Sequence, residues 1–214
     1  MATRLKGDCK DDGQSEFIRP FWTDTVTLVI EDSKLTVSRH ILSVLSPAFD
    51  AMFDFRKLQG NEEDEIQLPG KKYADMLEFM RCIYPDIEKP VTRANFLDIM
   101  PLASEYHVKG IYDKCVKILH ACLKYRPKKP DLFKYLIIAS QYHIDEAKDL
   151  CLEFGARLNR KEVTETEETV LLPADLKIEL QDRRIKYLEE YDPEIDIFDP
   201  YLVEAPVDDD QNAP

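Results

Sequence analysis

The sequence predicts an α+β fold (α/β in the broad sense of mixed strands and helices), with a small three-stranded sheet, flanking helical hairpins and extra C-terminal helices. Two observations carry this prediction. Residues 25–53 change from an alternating apolar pattern to a helical one, as a β-hairpin followed by helices would. Farther along the chain, a helical pattern recurs at an offset of 36 residues.

Two strands are predicted at the start of this region. Residues 26–30 are β-branched or apolar, which suits a buried strand. Leu35-Thr36-Val37 alternates between apolar and polar side chains, as does a strand with one buried face. The polar residues 31–34 between them favour a four-residue hairpin connection.

Two short helices are predicted next. Residues 41–45 are mostly apolar, and Ser38 precedes them at a suitable N-cap position. Ser46-Pro47 then ends the first helix and begins the second, because serine caps well and proline is tolerated at the first helical position. The apolar residues of 49–53 fall at helical spacing and supply the inner face of the second helix.

The helix pair carries a family resemblance. Residues 37–49 read Val-Ser-Arg-His-Ile-Leu-Ser-Val-Leu-Ser-Pro-Ala-Phe, and residues 51–53 read Ala-Met-Phe. This resembles the signature of BTB/POZ domains, which has a basic residue, a leucine three residues later, Ser-Pro-x-Phe and then Ala-Met-Phe. Two positions depart from it: Ser38 stands where the family often has histidine, and Thr25 where it often has aspartate. The resemblance implies the BTB/POZ fold despite these two changes.

The remaining elements of this domain follow from the same patterns. A polar loop is predicted over 54–64, and a short third strand over 65–69, ended by proline. Helical periodicity then predicts three helices, over residues 72–84, over 92–106 with Thr92 as N-cap, and over 109–123.

The internal repeat indicates two similar helical hairpins. Residues 102–108, Leu-Ala-Ser-Glu-Tyr-His-Val, match residues 138–144, Ile-Ala-Ser-Gln-Tyr-His-Ile. In each copy Tyr-His is expected to end the first helix, and the second copy is expected to stack on the first. Many BTB adaptors carry such a helical pair, called BACK, after the domain, and residues 131–160 resemble it.

These patterns predict four regions. They are a disordered N-terminus over residues 1–15, a BTB/POZ domain over 16–124, a BACK-like helical hairpin over 131–160, and an acidic tail over 161–214 with one helix at 173–191.

Charge is concentrated in that tail. Residues 161–214 carry 17 acidic and 5 basic side chains, whereas residues 1–160 carry 25 and 24. A nearly neutral folded part argues against nucleic-acid binding, which needs a basic face. The tail is either a solvated segment or a recruiting segment for a partner, since apolar residues are interleaved with its acidic ones beyond Asp192.

Cysteine usage and hydropathy indicate a compartment. The five cysteines form no C-x-x-C pair, and four lie in apolar helical patterns, which is typical of free thiols in a reducing environment. No apolar run is long enough to span a membrane, and residues 1–12 lack the apolar core of a secretory signal. A cytoplasmic or nuclear protein is therefore expected.

No catalytic, cofactor-binding or metal site is predicted. The chain has no glycine-rich phosphate loop, no G-x-S-x-G and no H-E-x-x-H. His107 with Cys115, and His143 with Cys151, could suggest zinc. Each hairpin offers only two ligands, however, and zinc needs four that converge, so structural corners are favoured.

The resemblance implies homodimerisation through the first helix and the segment before the first strand. Residues 17–22 form an aromatic cluster around Pro20, which packs either on its own domain or on a second copy. The residues expected in the dimer interface are Phe17, Ile18, Phe21, His40, Ser43 and Val44.

The resemblance also implies binding to a type-3 cullin, which would make the chain a substrate adaptor of a ubiquitin ligase. The residues expected to face the cullin are Asp54, Phe55, Leu58 and Tyr106. Family members often have an apolar residue, any residue and then glutamate here, but Leu58 is followed by Gln59-Gly60. A dimerising scaffold without cullin binding is therefore the alternative, and a tetramerising channel-type domain is disfavoured because no membrane segment follows.

Overall fold

The structure is a computed structural model that describes residue 17 and residues 24–58, 65–125, 127–158 and 171–190. The chain divides into two compact units, residues 1–115 and 116–214. The first unit contains the sheet and the helices up to residue 115, which lies inside the helix Lys109–Leu123. The second contains the C-terminal helices.

The sheet has three strands in the order β2-β1-β3. Strand β1 (Thr25–Ile30) pairs antiparallel with β2 (Ser33–Ser38) and parallel with β3 (Glu65–Gln67). Alternate residues of β1 are fully buried, so one face of the sheet lies on the core.

The hairpin turn is shorter than predicted. Ser33 and Lys34 belong to β2, so the connection has two residues rather than four. Glu31 adopts a positive φ of 53°, as the tight turns that match strand twist require. Polarity alone does not separate turn residues from edge-strand residues, which explains the difference.

Helices α1 (Arg39–Leu45) and α2 (Pro47–Leu58) meet at the Ser-Pro corner. The Ser38 hydroxyl accepts a hydrogen bond from the Ile41 N–H at 3.4 Å, which confirms the predicted N-cap. Helix α2 continues to Leu58, so the predicted loop at 54–64 is wrong over its first five residues. Arg56 supports this last turn by donating to the Glu65 carbonyl at 3.0 Å.

Three further helices are α3 (Tyr73–Ile83), α4 (Phe96–Glu105) and α5 (Lys109–Leu123). Helix α4 begins four residues later than predicted, with Asn95 rather than Thr92 at the N-cap. The Asn95 side chain accepts from the Thr92 N–H at 2.7 Å and closes a turn ahead of the helix. Its amide also donates to Glu78 at 2.9 Å, a long-range contact that periodicity cannot reveal.

The second unit contains α6 (Lys129–Gln141), α7 (Asp145–Ala156) and α8 (Ala174–Glu190). Helix α8 confirms the helix predicted over 173–191, and it packs on α7 through the buried Leu176 and Leu180. Glycine at 155 permits this approach, since a Cβ there would lie 2.7 Å from the Leu180 Cδ1. Arg183 adds an ion pair to Asp149 at 2.8 Å.

The two repeat copies have the same corner geometry. Tyr106 and Tyr142 are the C-caps of α4 and α6, and the next residues, His107 and His143, have φ of 54° and 53°. The N–H two residues after each tyrosine bonds to the alanine carbonyl three residues before that tyrosine, at 2.9 and 2.8 Å. This is a Schellman motif in both copies, so the Tyr-His pairs are structural corners. Stacking of one hairpin on the other remains a prediction.

Two predicted regions lie outside the described residues, namely the N-terminal segment 1–15 and the tail beyond Glu190. Within the described ranges, no helix combines the length and hydropathy needed to cross a bilayer.

Candidate protein-interaction surfaces

One outward surface lies on α1. His40 and Val44 are exposed and Ser43 is half-buried, and their i, i+3, i+4 spacing puts all three on one face of the helix. Val44 is 70% exposed, whereas Leu42 is fully buried. Three of the six residues predicted for a dimer interface therefore share this face, which is called the α1 patch below.

Phe17, also predicted for that interface, lies in the core of its own domain. Its side chain is fully buried, and its ring meets Tyr84 edge-to-face with centroids 4.9 Å apart. The aromatic cluster was expected to pack either on its own domain or on a second copy, and Phe17 packs on its own domain. Its side chain is not available to a second copy in this arrangement. Ile18 and Phe21 lie outside the described residues.

A second outward surface lies on the last turns of α2. Asp54, Phe55 and Leu58 are all exposed, and Phe55 and Leu58 are 60% and 87% exposed. The opposite side of the same helix buries Phe49 and Phe53. Large apolar side chains with this exposure are candidates for burial against a partner. This surface is called the α2 end.

Tyr106 does not belong to the α2 end. Its side chain is 3% exposed, and its ring stacks on Phe49 with centroids 4.3 Å apart and parallel planes. Burial, with a smaller contribution from the Glu105 carboxylate, raises the pKa of Tyr106 above the ordinary range. The expectation that Tyr106 faces a partner is therefore wrong, because the Tyr106 side chain packs beneath α2.

Polar contacts hold both surfaces on the same core. Arg39, the first residue of α1, donates to Asp24 at 3.2 Å, and its guanidinium carbon lies 5.0 Å from the centroid of the Phe53 ring on α2. The Ser46 hydroxyl accepts from the Phe49 N–H at 3.1 Å and caps α2. These contacts join α1, which carries the α1 patch, to α2, which carries the α2 end.

Three of the buried cysteine thiols lack the lowered pKa that a nucleophilic cysteine has. Cys82, Cys115, Cys122 and Cys151 are free and buried. Burial raises the pKa of Cys115 and of Cys151 to about 12. Burial, together with Glu78, raises the pKa of Cys82 to about 11. A reactive cysteine needs a lowered pKa, so these thiols are core groups.

An open groove in the first unit is lined by one carboxylate, that of Glu31, which forms a hydrogen bond within the domain. The groove has a volume of about 440 Å³ and is lined by residues 67–72 with Val29 and Glu31. The Glu31 carboxylate accepts from the Tyr73 N–H at 3.1 Å, at the start of α3. Across the part of the chain that the structure describes, no cluster of His, Cys, Asp and Glu is arranged to hold a metal ion.

Comparison with known families assigns the sheet-and-helix unit. The sequence profile of the BTB/POZ domain matches residues 19–123. This chain contains a BTB/POZ domain. The α1 patch and the α2 end are therefore surfaces of a BTB/POZ domain, which is a protein–protein interaction domain.

Two proteins of known family are similar to parts of this chain. BTB and MATH domain-containing protein 38 of Caenorhabditis elegans is 30% identical over 142 residues, which cover 65% of this chain and 33% of that protein. The chain thus spans about a third of this relative's length. The solved BTB domain of human gigaxonin has a TM-score of 0.39 and 14% identity, covering 55% of this chain and 98% of the gigaxonin domain.

Sequence reasoning did not find the polar contacts beneath the two surfaces. The Tyr84 hydroxyl accepts from the Ser38 N–H at 2.8 Å, and the Ser46 hydroxyl donates to the Tyr106 carbonyl at 2.5 Å. Each pair is separated by 46 or 60 residues, so no local pattern links its members. The only available signal was a serine at each helix start, which predicts a cap and not its distant partner.

Proposed function

We propose that this chain is a substrate adaptor that homodimerises through its BTB/POZ domain and binds a type-3 cullin of a ubiquitin ligase. The observation that carries the proposal is the presence of two separate outward surfaces on one domain, the α1 patch and the α2 end, each with at least one large apolar side chain exposed. One surface would join two copies and the other would contact the cullin. Four free buried thiols suit a reducing compartment, the cytoplasm or nucleus.

The α1 patch suits self-association. Most soluble homodimers are two-fold symmetric, so the same patch is used by both copies. A short helix that exposes Val44 beside His40 and Ser43 can pack against its own symmetry mate with Val44 buried in the contact. Ile18 and Phe21 remain predicted members of the same interface, and Phe17 would support it from within the domain.

The α2 end suits a different, larger partner. Interface energy is concentrated in a few anchor side chains, surrounded by residues that exclude water. Phe55 and Leu58 are such anchors on the exposed side of α2, with Asp54 beside them. The BACK-like hairpin and the acidic tail are then the regions left for substrates.

Dimerisation would give this adaptor two substrate sites. Joining two binding sites converts the second binding event into an intramolecular one, which raises avidity by about 10²–10⁴-fold when the geometry permits. A weak substrate motif could therefore be sufficient.

A dimerising scaffold without cullin binding is the second candidate. It is favoured by one feature: the position two residues after Leu58 is Gly60, where cullin-binding members often have glutamate, and Glu62 comes two residues later. The scaffold would use the α1 patch in the same way and leave the α2 end for other proteins.

Binding of the full chain to a purified cullin N-terminal domain separates these candidates. Calorimetry should give micromolar or tighter binding, and Phe55→Ala or Leu58→Asp should remove it. The matched control is Asp50→Ala, an exposed change on α2 that precedes the α2 end. Folded wild-type chain that does not bind at micromolar concentration would refute the ligase-adaptor function and leave the scaffold.

A further inference from the structure

Helix α8 has two apolar faces, and among the residues that the structure describes only one of them is packed. Leu176 and Leu180 are buried against α7. Ile178, Ile185 and Leu188 lie on the opposite side and are 60%, 55% and 59% exposed. At 100° per residue the two groups point about 150° apart. If α8 served only to pack on α7, the buried leucines Leu176 and Leu180 would be sufficient.

The exposed face has the spacing of a coiled-coil seam. Ile178 and Ile185 are seven residues apart, and Leu188 follows three residues later, which corresponds to heptad positions a, a and d. The other two d positions on the helix, Ala174 and Gln181, are exposed as well. Isoleucine at both a positions, with leucine at the last of the three d positions, is the part of this pattern that favours a parallel two-stranded arrangement.

The charges beside the seam favour a second copy of this helix as the occupant. One flank is acidic and the other basic. The acidic e positions are Asp175, Asp182 and Glu189, and the basic g positions are Lys177 and Arg184.

The pairing of these flanks selects an orientation. In a parallel pair, each g position meets the next e position of the partner, so Lys177 would meet Asp182, and Arg184 would meet Glu189. An antiparallel pair would instead bring acidic residues together and basic residues together. Arg184 already donates to the Leu158 carbonyl at 2.5 Å. A guanidinium has five N–H donors, so this bond leaves others for a carboxylate.

We propose that α8 pairs with α8 of a second copy as a short parallel coiled coil. The 17 residues of the helix span about 25 Å, or two and a half heptads, which is too short to associate strongly alone. The inference therefore rests on the proposed homodimer, which would bring the two helices to millimolar effective concentration.

Disulfide cross-linking of the full-length protein tests this pairing. In a Cys9→Ser background the remaining native thiols are buried, so an introduced cysteine is the reactive one. Ile185→Cys would put two a-position thiols within disulfide range of each other. The control is Lys186→Cys, the adjacent exposed residue, which points away from the seam. We expect Ile185→Cys to cross-link at least about tenfold faster than Lys186→Cys.

A charge exchange tests the parallel orientation in the same assay. Lys177→Glu should slow the cross-linking, because it places glutamate opposite the partner's aspartate. Adding Asp182→Lys to the same chain should restore the rate, because each g and e pair is again of opposite charge. Slowing that the second substitution does not reverse would overturn the parallel pairing.

The mass of the protein, measured by light scattering, separates this inference from the proposed function. A dimer in which Ile185→Cys cross-links no faster than Lys186→Cys overturns the pairing of α8 and leaves the homodimer intact. Protection of the Ile185→Cys thiol from alkylation without cross-linking also overturns it, because another segment or protein then covers the seam. A monomer at all concentrations refutes the homodimer itself.

Discussion

Ser46 and Tyr106, which are 60 residues apart in the chain, are joined by a buried hydrogen bond from the serine hydroxyl to the tyrosine carbonyl at 2.5 Å. The same hydroxyl accepts from the Phe49 N–H, and the Phe49 ring stacks on the Tyr106 ring. One side chain thus links the Ser-Pro corner between α1 and α2 to the Tyr-His corner after α4. This link supports the helices that carry both proposed interaction surfaces.

Replacing Ser46 with alanine should destabilise the protein, although it removes only one oxygen atom. Ser46→Ala removes the cap of α2 and leaves the Tyr106 carbonyl without this donor in a buried position, so we expect a loss of about 2 kcal/mol in the free energy of unfolding. Urea denaturation followed by circular dichroism measures it. The control is Ser104→Ala, a half-buried serine within α4, for which we expect a change within about 0.5 kcal/mol. Equal effects of both substitutions would contradict this role of Ser46.

Tyr84 should matter through its hydroxyl as well as its ring. Tyr84→Phe keeps the edge-to-face contact with Phe17 but leaves the buried Ser38 N–H unpaired. We expect a destabilisation of about 1–3 kcal/mol. The same change at the half-buried Tyr125 is the control and should cost less than about 0.5 kcal/mol. If Tyr84→Phe has no effect in thermal or urea unfolding, the Ser38 N–H has another acceptor.

Glycine in place of either corner histidine should stabilise the protein. A residue other than glycine in the left-handed region costs roughly 1 kcal/mol, and both His107 and His143 adopt it. His107→Gly and His143→Gly should therefore each stabilise the protein by about 0.5–1 kcal/mol. His107→Ala and His143→Ala, which keep the Cβ, should give no such gain. A glycine variant less stable than its alanine counterpart would mean that the imidazole contributes more than the corner strain costs.

Buried thiols predict a loss of stability at alkaline pH. Burial raises the pKa of Cys151 from 9.0 to about 12, so the folded state keeps a proton that the unfolded state releases. The stabilisation from the protonated Cys151 thiol is fully present below pH 9 and is lost as the pH rises through 12. Over that range the free energy of unfolding falls by up to about 1.4 kcal/mol per pH unit. Urea midpoints between pH 8 and 10.5 should therefore fall less steeply in Cys151→Ala than in wild type. Parallel slopes would refute this assignment.

The sequence predicted the elements whose patterns are local. The caps at Ser38 and Ser46, the bounds of α5 and the two Tyr-His corners all follow from a few adjacent residues and are present in the structure. The error at the start of α4 is associated with a contact between distant residues. Asn95 displaced Thr92 as N-cap because the Asn95 side chain also bonds to Glu78 on α3.

The site residues show the same division. Val44, Phe55 and Leu58 are exposed, as the resemblance implied for residues that contact partners, although Phe55 and Leu58 lie on α2 and not in the predicted loop. Phe17 and Tyr106 were expected at partner surfaces but lie in the core, because each packs on a ring far along the chain. Exposure of an aromatic residue at the edge of an element depends on such contacts, which no local pattern contains.

Light scattering of wild type, Val44→Asp and Leu58→Asp tests the central claim, that the α1 patch joins two copies while the α2 end serves another partner. At micromolar concentration we expect wild type and Leu58→Asp to have twice the chain mass of 24.9 kDa, and Val44→Asp to have the chain mass. Both substitutions add one carboxylate at an exposed position, so they are matched in charge and differ in surface. A Val44→Asp protein that keeps the dimer mass, or a wild type that is monomeric, would contradict the account.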